Sequence, residues 1–178
     1  MVIFWTLQQE ECWERAKQLG YLIGDEEFAG FQKEYLWMME QMKKRLPNYQ
    51  GEYPIWVWLE KPDMRQTGHF PGGTKCVRLK LEIDEKDVLV SYFDDWHCVL
   101  NRWFCSDSEE EAEAFETGLL PISMEESWER IFELDRIRDP EWHGRVEDRK
   151  LQGVTGKIDM SKVKSVEHFV ARKSEFDI

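Results

Sequence analysis

Residues 53–60 read YPIWVWLE, and their alternation puts Trp56 and Trp58 side by side on one face of a strand. Two indoles at that spacing could form a flat wall on which a planar ligand stacks, while Tyr53 alternates onto the other face with Ile55, Val57 and Leu59. Arg65 follows the strand by five residues, and its planar fork suits a phosphate or a carboxylate. The ordinary fate of such tryptophans is a core layer under a helix, and that of such an arginine is the solvated surface. The run Asp95-Trp96-His97 is a lesser candidate, because a histidine opening a helix is more often structural than basic.

Other chemistries are less well supported. No GxSxG, Walker, HExxH or GxGxxG pattern is present. The stretch PGGT at 71–74 follows no strand that leads straight into a helix, so it reads as a turn. The cysteines Cys12, Cys76, Cys98 and Cys105 form no CxxC pair, and His97 beside Cys98 diverges from it on a helix, so no metal site is expected. A Cys–His nucleophile pair stays open, since such partners meet in space rather than in sequence. None of the 36 acidic residues is singled out as a general acid or base by its pattern.

The elements that must carry these residues follow from periodicity. VIFW reads as a short strand, and Thr6 with Gln9 as a capping box opening a helix with Cys12, Trp13, Ala16 and Leu19 on one face, closed by Gly20. A second helix is expected from about Phe28 to Leu46, striped by Phe31, Tyr35, Met38, Met39, Met42 and Leu46 and ended by Pro47. Lys43, Lys44 and Arg45 in its last turn complement the helix dipole. YPIWVWLE is apolar on both faces and reads as an interior strand, whereas KCVRLKLEI reads as half solvated with Val77, Leu79, Leu81 and Ile83 inward.

DVLVSYF is a further short strand, after which Asp94 or Asp95 caps a helix bearing Trp96, Val99, Leu100, Trp103 and Phe104. An acidic helix begins at Glu109 to Glu111 and ends at Gly118. Ser123 and Glu126 form a second capping box ahead of Trp128, Ile131 and Phe132, and the Asp139-Pro140 step breaks that helix. LQGVTGKI and VKSVEHFVAR close the chain as strands. The expectation is one α+β domain over residues 1–178, with helices packed on a largely antiparallel sheet.

A net charge of −12 on 178 residues opposes nucleic-acid binding, although a local basic groove would escape that average. No run is long enough to span a bilayer and the start MVIFWTLQQEE lacks a signal peptide's features, so the expected location is the cytoplasm, without a membrane partner.

The segments IFWTLQ, WMMEQM, YPIWVWLEKPDMR, GTKCVRLKLEI, VLVSYFDDWHCVLN and LQGVTGKI…VEHFVAR together resemble domain-of-unknown-function family 3841, small bacterial proteins with no assigned activity. A more distant likeness is to the ADP-ribosyltransferase fold, which implies NAD held in a cleft between two small sheets. That resemblance carries the first-strand His or Arg place to Trp5 and Thr6, the middle aromatic place to Tyr53 or Trp56, and the late Glu place to Gln152. Gln152 lacks the charge that would stabilise an oxocarbenium-like ribose, so the resemblance implies a nucleotide-binding domain with divergent or lost transferase activity. The alternative is a non-enzymatic, phage- or defence-associated protein that binds a basic protein partner through its acidic surface.

Overall fold

In a computed structural model, which describes residues 1–26 and 30–174, backbone contacts divide the chain into two compact units. One comprises residues 1–89 with those from 153 onward, and the other comprises residues 90–152.

The first unit is organised by long strands. β1 (Val2–Gln9) pairs antiparallel with β4 (Lys75–Ile83) along its whole length, from Val2 opposite Ile83 to Gln9 opposite Cys76. β3 (Ile55–Trp58) lies on the other side of β1, with Trp5 opposite Trp58. β8 (Val163–Val170) continues the antiparallel sheet beyond β4. With β5 (Leu89–Tyr92) and β6 (Leu151–Thr155), within which the chain leaves and re-enters this unit, the strand order is β5-β6-β3-β1-β4-β8. A small second ladder joins β2 (Tyr21–Leu22) to β7 (Ile158–Asp159).

The long β1 pairing overrides the capping box expected at Thr6. Thr6 is a fully buried strand residue whose hydroxyl donates to the Trp56 carbonyl at 2.8 Å, and α1 (Glu10–Leu19) begins without a side-chain cap. Gly20 ends α1 at φ +83°, as expected, but Leu19 faces solvent while Trp13 and Ala16 carry the buried face. α2 (Gln32–Arg45) buries Met38 and Met42 and leaves Phe31 half exposed; Phe28, at the expected helix start, lies outside the described residues.

β3 is interior, as its two apolar faces imply, with Ile55 and Val57 buried and both tryptophans half-buried. β4 is not half solvated. Flanked by β1 and β8, it buries Cys76 and Arg78 on one face as well as Val77, Leu79, Leu81 and Ile83 on the other. Arg78 tolerates this because its Nε donates to Glu167 at 2.7 Å on the neighbouring strand.

The second unit is built from short helices: α3 (Phe93–Leu100), α4 (Glu109–Glu116), α5 (Met124–Trp128) and α6 (Pro140–His143). Neither Asp94 nor Asp95 caps α3; Asp94 is exposed and Asp95 is buried among arginines. α3 stops at Leu100, before Trp103 and Phe104, in a Schellman turn where Trp103 N–H bonds the Cys98 carbonyl at 2.8 Å and Arg102 N–H bonds that of Val99 at 3.1 Å. The left-handed residue of that turn is Arg102, at φ +53°, where glycine is usual. Trp103 is consequently thrown outward, 61 % exposed.

Ser123 and Glu126 do form the expected capping box, and Trp128 and Ile131 are buried behind it. The helical run ends at Phe132, well before Pro140. Asp139 instead caps α6, with Pro140 at its first turn where a missing N–H costs nothing. The architecture is α+β with a mostly antiparallel sheet.

Candidate functional site

The first unit contains a cavity of about 210 Å³ that opens where β1 runs into α1. Its polar rim comes from Gln8 and Gln9, its aromatic wall from Tyr35, Tyr53 and Trp56. The wall is braced internally. Trp56 Nε1 donates to Tyr35 Oη at 2.9 Å, Tyr35 stacks on Tyr53 with centroids 5.6 Å apart, and it meets Trp56 edge-on at 85°. Burial pushes the Tyr35 hydroxyl up against the opposing effect of the Trp56 bond, so it stays a neutral phenol.

Local geometry makes this arrangement possible. Gly24 N–H bonds the Tyr53 carbonyl at 3.1 Å, and a Cβ on Gly24 would lie 2.2 Å from the Pro54 carbonyl oxygen. Only glycine lets that segment close the cavity beside the β3 entry. On β1, the Thr6 hydroxyl accepts from Gln8 Nε2 at 2.9 Å while donating to Trp56, so one buried hydroxyl ties the glutamine rim to the aromatic wall.

The expected site residues separate. Tyr53 and Trp56 line the cavity, and Thr6 supports it from behind. Trp58 does not: it packs edge-on against His69 at 6.0 Å. Trp5 carries Lys61, Arg78 and Lys80 over its ring at 5.1, 5.7 and 5.9 Å, a cation-decorated surface away from the cavity lining. Arg65 does not reach back to an anion; exposed, it chelates Asp63 at 2.8 Å and holds that carboxyl down to about 2. Gln152 belongs to the second unit, buried in β6 with Nε2 lacking a hydrogen-bond partner among the described residues. Gln8, Gln9, Tyr35 and Gly24 were not legible as site residues, because no periodicity brings positions 8, 24 and 35 together.

The second unit holds a different constellation. Asp95 (2 % exposed) is gripped by Arg138 at 2.6 Å and by Arg149, both themselves buried, and Arg149 lies 3.9 Å over the Tyr92 ring. Asp107 receives Arg136 at 2.7 Å, and Glu111 receives Arg130 at 2.9 Å. Burial alone would raise both carboxyls, but the arginine bonds and charges outweigh it and hold them below the usual range. Carboxylates so fully engaged are anchors for the loops rather than general bases. Trp96 is core, and His97 Nδ1 donates to the Phe93 carbonyl at 3.0 Å while its ring meets Phe93 edge-on, so the Asp95-Trp96-His97 run is structural.

Among the described residues no three His, Cys, Asp or Glu side chains converge as metal ligands, and no helix is long and apolar enough to cross a membrane. What fold and cavity define is an α+β protein with a braced aromatic recess at the end of its first strand. The chain belongs to DUF3841, a family defined by a domain of unknown function, which matches residues 3–125. That match runs from β1 through α4 and into the start of α5, and includes every residue of the cavity lining. No curated protein and no solved structure matches the chain.

Proposed function

We propose that the recess takes one flat ring of a nucleotide-like ligand such as NAD, in a domain whose transferase chemistry is divergent or lost. The observation that carries this reading is the Trp56–Tyr35 hydrogen bond beneath the Tyr53 stack, which holds three aromatic faces in place before any ligand arrives. Gln8 and Gln9 add amides that can both donate to and accept from a heterocyclic edge. Pockets for whole drug-sized ligands run from roughly 300 Å³ upward. At about 210 Å³ this one suits a single base or nicotinamide, with ribose and phosphates left outside.

The likeness to ADP-ribosyltransferases, which prompts NAD as the probe, also argues against full activity. Trp5 and Gln152 stand where those enzymes use charged groups, and an amide cannot stabilise a cationic ribose as a carboxylate does. Titration of the full chain with NAD and with nicotinamide, followed by calorimetry and tryptophan fluorescence, should give saturable binding that Trp56→Ala abolishes. Gln9→Glu, at the half-exposed rim, should weaken NAD more than nicotinamide by repelling the pyrophosphate. Absence of heat and of spectral change at millimolar ligand, with the fold intact, would sink the reading.

A further inference from the structure

The recess stops at Leu7 and Trp56, but the sheet face they share continues. In the antiparallel registers Leu7 stands opposite Arg78, and two residues back along β1 Trp5 stands between Lys80 on β4 and Trp58 on β3. Residues paired in this way project from the same face, and two strand residues advance by about 7 Å. The face that carries Leu7 and Trp56 at the recess therefore carries Trp5 and Lys80 one step further along, all within the first unit. Lys61, just after β3, joins them. Trp5 collects three cations, with Lys61 Nζ at 5.1 Å from its ring centroid, the Arg78 guanidinium at 5.7 Å and Lys80 Nζ at 5.9 Å.

We propose that Lys61 and Lys80, held over Trp5, bind the phosphates of the ligand whose ring enters the recess. This rests on the reading of the recess as a ring site, and extends it to the anionic part of the ligand that so small a cavity leaves outside. The order along the sheet face matches the order of groups in a nucleotide: the ring at Trp56 and Leu7, the sugar over the next strand step, the phosphates at the two lysines.

The three cations have different roles. Arg78 is buried and already engaged, donating from Nε to Glu167 at 2.7 Å and from Nη1 to the Pro62 carbonyl. Its hydrogen bond, with a smaller contribution from Lys61, holds the Glu167 carboxyl below the usual range. Lys61 is exposed and reaches Glu167 only at 3.4 Å. Lys80 is half-buried and, among the described residues, forms no ion pair; Glu82, next along that face, pairs with Lys164 at 3.6 Å. Three positive charges thus meet at one indole against the shared Glu167, and an incoming anion relieves their mutual repulsion. Cation–π attraction holds both ammonium groups over the ring beforehand, which lowers the cost of ordering two long side chains on binding. A nucleic-acid strand would lay its further phosphates on a chain of net charge −12, so a short phosphate chain is the better match.

The test is calorimetry of the full chain with nicotinamide, NAD and inorganic pyrophosphate. The wild type is compared with Lys61→Gln, Lys80→Gln and a charge-matched control, Lys33→Gln, exposed on α2; none of these lysines is buried. NAD should bind more tightly than nicotinamide. Lys61→Gln and Lys80→Gln should each weaken NAD by roughly fivefold, the scale of one exposed ion pair, and leave nicotinamide unchanged, while Lys33→Gln changes neither. Pyrophosphate should bind by itself and lose affinity in Lys80→Gln. NAD affinity indifferent to both lysines, while nicotinamide still binds, overturns the anion site and leaves the ring reading standing. Pyrophosphate bound through the two lysines, with no binding of nicotinamide or NAD, removes the ring reading and keeps the anion site. Pyrophosphate that fails to bind, or that responds as strongly to Lys33→Gln, overturns the proposal.

Discussion

The two units place their charged groups differently. In the first, Phe4, Ile55, Val57, Leu79, Leu81, Met38 and Met42 are almost wholly excluded from water, and the buried Arg78 reaches a partly exposed Glu167 on the neighbouring strand. In the second, Trp96, Val99, Trp128 and Ile131 are buried alongside a network in which Asp95 holds two arginines and Asp107 and Glu111 engage two more. Eight- and nine-residue strands bury side chains by stacking on the sheet, whereas helices of four to eight residues expose many backbone ends and leave long loops to be tied down. Charged side chains that reach across the unit do that tying. Hydrocarbon holds one half, geometry-dependent ion pairs the other.

That contrast can be broken most sharply at Asp95. Asp95→Ala leaves Arg138 and Arg149 buried without their counter-charge, a loss of about 3–5 kcal/mol; hydrogen exchange should show α3 through α6 deprotected. If protection there is unchanged, the network is ornamental and the comparison fails. Leu79→Ala is the matching cut in the first unit, costing about 2–5 kcal/mol through the lost contacts and the cavity left behind. Its deprotection should centre on β1 and β4.

The smallest effect, and the one that sharpens the comparison, is acid sensitivity. Asp107 and Glu111 have folded values held below the unfolded range near 4, so their contribution is fully present above that range and disappears as pH falls through the folded values. An exchange-monitored acid scan should therefore show the second unit opening before the β1–β4 ladder. Simultaneous opening would mean that the carboxylates of the first unit matter as much.

Legibility followed the range of the interaction. Gly20, the Ser123–Glu126 box and the interior character of YPIWVWLE were readable because each depends on neighbours a few residues away or on the period of one strand. Thr6 was misread for the same reason. Its T-x-x-Q pattern is a sound local signal, but an eight-residue pairing with β4 outweighs one cap. Asp95 looked like a cap until two arginines, 43 and 54 residues further on, claimed it.

Composition, periodicity and turn residues were enough to determine that this chain builds an antiparallel α+β fold, because apolar spacing dictates which faces must leave water. Which side chains meet was decided only by tertiary structure. Tyr35 under Trp56, Thr6 against Trp56, and Arg138 and Arg149 on Asp95 are juxtapositions set by strand order and loop reversal, and a linear pattern carries no record of the loops that close them.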